Sequence, residues 1–282
     1  MRRGRLCHSR FRRAGRPSPR RQGARFTPRR ARPRTGGHWQ PPGPWRVEVL
    51  NGRTIIVTGA GRGIGRAIAR RLGASRANVV AVARNERELD ETRRMVERDG
   101  SRCLAVRADV ARTDDVDRMV QETMRAFARI DGLVNNAGMA VLSPIDALEP
   151  EHFDALVASN IRSVFLCCRA VWQTMRESGG GMIVNVSSLA ADDPFPGFAA
   201  YGATKAFVNT FSQALHAEGV PVGIRVYCVA PGAVETQMLR GPFPDYPAER
   251  TLEPDDVAAL IEGLFAPAAR HIGGQPIRIR RT

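Results

Sequence analysis

Lysine is nearly missing from this 282-residue chain: of its 43 lysine and arginine residues, only Lys205 is lysine. Such a skew suggests GC-rich coding sequence, so the surviving lysine marks a place where a compact ammonium does what a guanidinium cannot. Tyrosine is scarce too, with three in the chain, yet Tyr201 stands four residues before Lys205. Acidic residues are absent from residues 1–46, which hold 15 arginines and leave 28 basic against 28 acidic residues in the rest. The net charge of +15 therefore belongs to that segment and gives no reason to read the remaining chain as a nucleic-acid or membrane-surface binder. The five cysteines, Cys7, Cys103, Cys167, Cys168 and Cys228, form neither a disulfide framework nor a metal-ligand spacing. The histidines are equally scattered, so no metal is expected, and a reducing, cytoplasmic setting suits the thiols. No apolar run approaches the ~20 residues of a membrane span, and the N-terminal segment lacks the apolar stretch of a secretory signal.

Residues 1–46 are rich in Arg, Pro and Gly and nearly devoid of Ile, Leu and Val, too little to offset the entropy of ordering, so they are expected to be a disordered basic tail. A nucleic-acid-binding arm, an organellar transit peptide and GC-rich upstream DNA read as protein compete as explanations. The last is preferred, because a domain of residues 47–282 can begin naturally at Val47.

That domain alternates strand and helix. Arg53–Thr58 is a β-branched run followed at once by the glycine turn Gly59-Ala60-Gly61-Arg62-Gly63-Ile64-Gly65 and a helical pattern through Leu72. Strand, glycine turn and helix together make a seat for a pyrophosphate, because glycines let the backbone approach it and the helix N-terminus faces its charge. Further strands are expected at Asn78–Ala83, Arg102–Arg107, Gly132–Asn135, Met182–Val186, Gly223–Ala230 and Gln275–Ile279. Helices are expected at Glu86–Asp99, Thr113–Arg129 and Pro150–Arg176, on a stretch carrying Tyr201 and Lys205, and near Asp255–Phe265. The alternation implies an α/β, Rossmann-like, doubly wound parallel sheet in one domain, with its ligand crevice at the carboxyl ends of the strands. Residues 237–250, with three prolines and little periodicity, suit a mobile flap over that crevice. At the end of the second strand stands Arg84 with Ala83 before it, where an acidic residue would otherwise meet a ribose 2′-hydroxyl. Arg84 and Arg62 together suit a 2′-phosphate, which favours NADP(H) over NAD(H).

These residues resemble the short-chain dehydrogenase/reductase family over nearly all of residues 50–280. Several separated motifs agree in order and spacing: Thr58-Gly59-x-x-x-Gly63-x-Gly65, Asp109, Asn135-Asn136-Ala137-Gly138, Asn160, Ser188, Tyr201-x-x-x-Lys205 and Pro231-Gly232 with Thr236. The resemblance implies a cofactor site formed by Gly59, Arg62, Gly63, Ile64 and Gly65 at the turn. Asp109 and Val110 would lie at the adenine, Asn136, Ala137 and Gly138 beside the central strand, and Pro231, Gly232, Val234 and Thr236 at the nicotinamide. It also implies a catalytic set in which Ser188 polarises a carbonyl and Tyr201 delivers the proton. Lys205 would lower the tyrosine pKa and hold the nicotinamide ribose, while Asn160, through a water, would connect Lys205 to solvent. Ser187 is the rival of Ser188, but side chains alternate along a strand end and the family's spacing selects the second serine. Tyr227 departs from the asparagine frequent before the Pro-Gly motif. The chain has no glycine pair after its last strand, so tetramer contacts made by longer relatives do not carry over, although a homodimer or homotetramer is expected.

The activity so implied is hydride transfer between nicotinamide and a carbonyl or secondary alcohol. Residues 139–143, 189–198 and 233–246 would line the pocket, and Met139, Leu189, Phe195, Phe198, Met238 and Phe243 make an apolar or aromatic ketone the best-fitting small-molecule substrate. Two other readings remain: a 3-oxoacyl-[acyl-carrier-protein] reductase, and a non-catalytic cofactor-sensing or nucleic-acid-binding protein on the same fold, which loss of Tyr201 or Lys205 would have favoured.

Overall fold

The computed structural model describes residues 50–282; the disorder expected of residues 1–46 lies outside them. Strands β1 (Thr54–Thr58), β2 (Asn78–Ala83), β3 (Cys103–Arg107), β4 (Gly132–Asn135), β5 (Gly181–Val186), β6 (Ile224–Pro231) and β7 (Pro276–Ile279) form one sheet. Every pairing in it is parallel and the order is β3-β2-β1-β4-β5-β6-β7. Parallel neighbours need crossovers, and helices supply them on both faces. The order reverses between β1 and β4, which opens a crevice at their carboxyl ends.

Side chains alternate across each strand and divide the core in two. Ile55, Val57, Val79 and Ala81 face α1 (Gly63–Ala74) and α8 (Pro254–Leu264), where Ile68, Leu72, Val257 and Ile261 meet them. Ile56, Val80, Leu133 and Ile183 face the other way, onto α3 (Thr113–Phe127), α5 (Ser163–Glu177) and α6 (Ala199–Gly219). A strand buried on both faces reads as a continuous apolar run, as NVVAVA in β2 does. Tyr227 fits this frame without disturbance: it is fully buried and its hydroxyl donates to the Ala269 carbonyl at 3.0 Å.

One expectation changes. Pro150–Arg176 is not one uniform helix: α4 (Pro150–Val157) passes through a π-helical turn, Ala158–Arg162, into α5. This Pro150–Glu177 rod also reaches the length and hydropathy of a membrane span, at mean hydropathy 1.3, though no single apolar run suggests it. One face of it packs on the sheet through Cys167, Val171 and Met175, all buried, and Leu156 is buried in the cluster around Tyr201, which identifies a layer helix of this fold. Within residues 237–250, α7 (Gln237–Arg240) begins the segment, and Arg240 forks onto both carboxylate oxygens of Glu235 at 2.7 and 2.6 Å.

Candidate active site

The glycine turn is built around contacts that a side chain would obstruct. A Cβ on Gly65 would fall onto the Gly59 carbonyl oxygen, and one on Gly59 would lie 2.9 Å from both the Ala137 Cα and the Asn136 Nδ2. Gly59 and Gly63 also have φ of 66° and 54°, the left-handed region that glycine adopts without strain. Asn136 ties the turn to β4: its Nδ2 donates to the carbonyls of Thr58 and Gly59, while its backbone N–H and that of Ala137 donate to Thr58 Oγ1, each at 3.1 Å. Helix α1 then begins at Arg62 with no side-chain cap and no acidic residue in its first turn. The amides of Gly63, Ile64 and Gly65 thus have no side-chain acceptor in competition for them, and this fits the pyrophosphate of a dinucleotide.

The other expected cofactor residues border the same crevice. Asp109, at the end of β3, accepts from Ala111 N–H at 3.1 Å, and Val110 beside it is buried. Gly232, after β6 and Pro231, donates to the Ile279 carbonyl at 2.8 Å; Val234 is buried and bridges Leu252. Thr236 faces the glycine turn, its Cγ2 3.3 Å from where a Cβ on Gly63 would stand. Arg84 follows β2 directly and is exposed. Arg62 stands beside the turn with its Nη1 engaged: it donates to Gln237 Oε1 at 2.8 Å and lies 3.4 Å from Glu88 Oε1. The ribose end of β2 is not without a carboxylate. Glu88 in α2 (Glu86–Arg98) folds back over Gly61, its Oε2 2.9 Å from a Cβ position there.

The catalytic candidates converge at the ends of β4 and β5. Ser187 and Ser188 point differently: Ser187 Oγ donates to the Lys205 carbonyl at 3.0 Å, whereas Ser188 Oγ accepts from Ala190 N–H and lies beside the Tyr201 phenol. Tyr201 and Lys205 sit one turn apart on α6, both buried, with the ammonium 5.9 Å from the tyrosine ring centre. Lys205 Nζ donates to the Val186 carbonyl at 3.0 Å. Burial without a carboxylate partner pushes Lys205 down to about 8. Burial also pushes Tyr201 up, against the hydrogen bond of Ser188. The opposing cause is Ser188 rather than the expected lysine, whose ammonium stands 5.9 Å from the ring centre.

Asn160 lies in the π-helical turn and is fully buried. Its Oδ1 accepts from Met139 N–H, and its Nδ2 donates to the Met139 carbonyl, both at 2.9 Å, and to Thr204 Oγ1 at 3.0 Å. The side chain thus fastens the Gly138–Met139 strand exit to α6. Gly138 fills the gap, since a Cβ there would stand 3.0 Å from Asn160 Oδ1 and 3.5 Å from Lys205 Nζ.

Two arrangements go beyond the residue patterns, although Asn135, Phe195, Phe198 and Phe243 are themselves expected site residues. One is a polar chain through the core: Asn135 Nδ2 donates to Asn185 Oδ1, and Asn185 Nδ2 to Ser212 Oγ, each at 2.9 Å, clamping β4, β5 and α6 together. Asparagines inside apolar strands are its signal. The other is an aromatic wall over Tyr201: Phe198 meets the tyrosine ring edge-on at 5.0 Å, and Phe195 stacks on Phe198 at 4.4 Å. Phe243 reaches Phe195 at 5.7 Å from beyond α7, so the wall joins two of the expected pocket segments. Met139, Val141 and Leu156 complete this third apolar cluster.

Comparison with known proteins agrees with this geometry. The family model described as short chain dehydrogenase matches residues 53–246. A protein of Eggerthella lenta named 3beta-hydroxysteroid dehydrogenase 1 is 37% identical over 237 residues, covering 80% of this chain and 91% of that protein. A 3-oxoacyl-[acyl-carrier-protein] reductase of Synechocystis is 35% identical over 240 residues, covering 83% and 97%. Among solved structures, 3-ketoacyl-(acyl-carrier-protein) reductase from Brucella melitensis, complexed with NADH, superposes with a TM-score of 0.76 at 35% identity, covering 82% of this chain and 97% of that one.

Proposed function

This chain belongs to the short-chain dehydrogenase/reductase family and is an oxidoreductase acting on CH–OH or carbonyl groups with NAD(P), and from that premise we propose that it reduces an apolar or aromatic ketone with NADP(H) favoured over NAD(H). The bound nicotinamide supplies or accepts the hydride. Everything else falls to the chain's own residues. Ser188 donates to the carbonyl oxygen, where negative charge gathers, and Tyr201, held protonated by burial, delivers the proton that completes the alcohol. Lys205 keeps a positive charge beside the phenol and draws replacement protons from the π-turn side, while Asn160 positions the Met139 strand exit against α6. Arg84, exposed at the end of β2, is the proposed contact for a 2′-phosphate. The thiols of Cys167 and Cys228 are buried and pushed up to about 12 and about 11, so neither serves as a nucleophile near neutral pH.

The aromatic wall of Phe195, Phe198 and Phe243 over Tyr201 carries the substrate reading, because it places flat apolar surface beside the proton donor. Likeness to the acyl-carrier-protein reductases favours a second reading, a 3-oxoacyl thioester substrate. A carbonyl panel followed by NADPH absorbance tests both. The first reading expects the highest kcat/KM for ring-bearing apolar ketones; a clear preference for the thioester selects the second, and small polar ketones as best substrates would contradict both.

A further inference from the structure

The carboxylate of Glu88 occupies the wall between the glycine turn and the end of β2. Its Oε2 is 2.9 Å and its Cβ 3.1 Å from where a side chain on Gly61 would begin, and Ala83 Cβ lies 3.4 Å from the same point. The residue is fixed there by its helix. Its own N–H donates to Asn85 Oδ1 in the α2 cap, and its carbonyl accepts from Arg66 Nη2 at 3.2 Å. Its Oε1 faces Arg62 at 3.4 Å, while the same guanidinium nitrogen donates to Gln237. One of the two arginines at the ribose end of the crevice is therefore already paired with a carboxylate and an amide, and the other, Arg84, is exposed.

We propose that Glu88 is a cofactor-discriminating residue: its carboxylate neutralises Arg62 and repels a 2′-phosphate, so that recognition of that phosphate rests on Arg84. A dianionic phosphate at this end meets a fixed negative charge on the Gly61 side and competes with two partners for Arg62 Nη1. A 2′-hydroxyl carries no such charge and meets only an acceptor. The preference for NADP(H) is accordingly smaller than two free arginines would produce. This inference rests on the cofactor reading above.

The test is calorimetric binding of 2′,5′-ADP and 5′-ADP to the full chain and to its Glu88→Gln and Arg84→Ala variants, with no turnover involved. Glu88→Gln keeps the shape of the side chain and its backbone contacts and removes the charge. It should tighten 2′,5′-ADP by about fivefold and leave 5′-ADP nearly unchanged. Unchanged or weaker 2′,5′-ADP binding, or equal tightening of both nucleotides, would overturn the role of Glu88. The cofactor reading is judged separately: it fails if the unaltered chain binds the two nucleotides equally and Arg84→Ala changes neither. The Glu88→Gln ratio can be read in either case.

Discussion

Replacing Lys205 with methionine should make the protein more stable at neutral pH while stopping turnover. Lys205 is 6% exposed as a residue, and the hydrogen-bond acceptor of its ammonium is the neutral Val186 carbonyl. Burial lowers its pKa from 10.5 to about 8. At about 1.4 kcal/mol per pKa unit, holding the charge costs roughly 3 kcal/mol. Methionine fills similar space but forfeits the hydrogen bond to Val186, worth about 1 kcal/mol, so a net gain of about 2 kcal/mol is expected at pH 7. The sign with pH follows from the direction of the shift. The folded chain binds this proton less tightly than the unfolded chain, so the penalty is fully present below about 8 and is relieved as pH rises from about 8 towards 10.5. Urea unfolding at pH 7 and near pH 10 measures this, and the advantage of Lys205→Met should have gone by the higher pH. Destabilisation at pH 7, or an advantage equal at both pH values, would refute the reasoning.

Ser188→Ala should lower kcat by about 10² by removing a donor to the developing oxyanion. Ser187→Ala should instead cost about 1 kcal/mol of stability through its bond to the Lys205 carbonyl and leave kcat nearly intact; steady-state kinetics and urea titration of both variants check the division of labour. Asn160→Ala strands the N–H and carbonyl of Met139 and should destabilise by about 2 to 4 kcal/mol in urea, so a loss below about 0.5 kcal/mol would contradict its role as a fastener. Carbonyl reduction should decline as pH rises through about 8, where Lys205 gives up its proton, and a pH–rate profile of Lys205→Arg should lack that step.

The parallel sheet was legible because each central strand is buried on both faces and so appears as an unbroken apolar run between helical patterns; β2 and β4 have the bounds expected from sequence. Tyr201 and Lys205 were legible through rarity and spacing. The π-helical turn at Asn160 was not, because one extra residue in a turn barely disturbs apolar periodicity over so long a rod, and only the asparagine inside it hints at a break. Glu88 was hidden for a different reason. On α2 it reads as one more charge on a polar helix, and its meaning comes from Gly61, 27 residues earlier, whose missing side chain makes room for the carboxylate. The direction at Tyr201 was also out of reach, since the depth of burial that raises the phenol cannot be read from the sequence.

The central claim, that Tyr201 is the proton donor of a carbonyl reductase, is tested most directly by Tyr201→Phe. Phenylalanine keeps the ring in its edge-on contact with Phe198 and in the apolar cluster, so the site should stay packed and NADPH should bind as before by fluorescence titration. With the donor gone, single-turnover reduction of the best ketone should slow by about 10² to 10⁴. Reduction at the unaltered rate, with NADPH bound, would contradict the account.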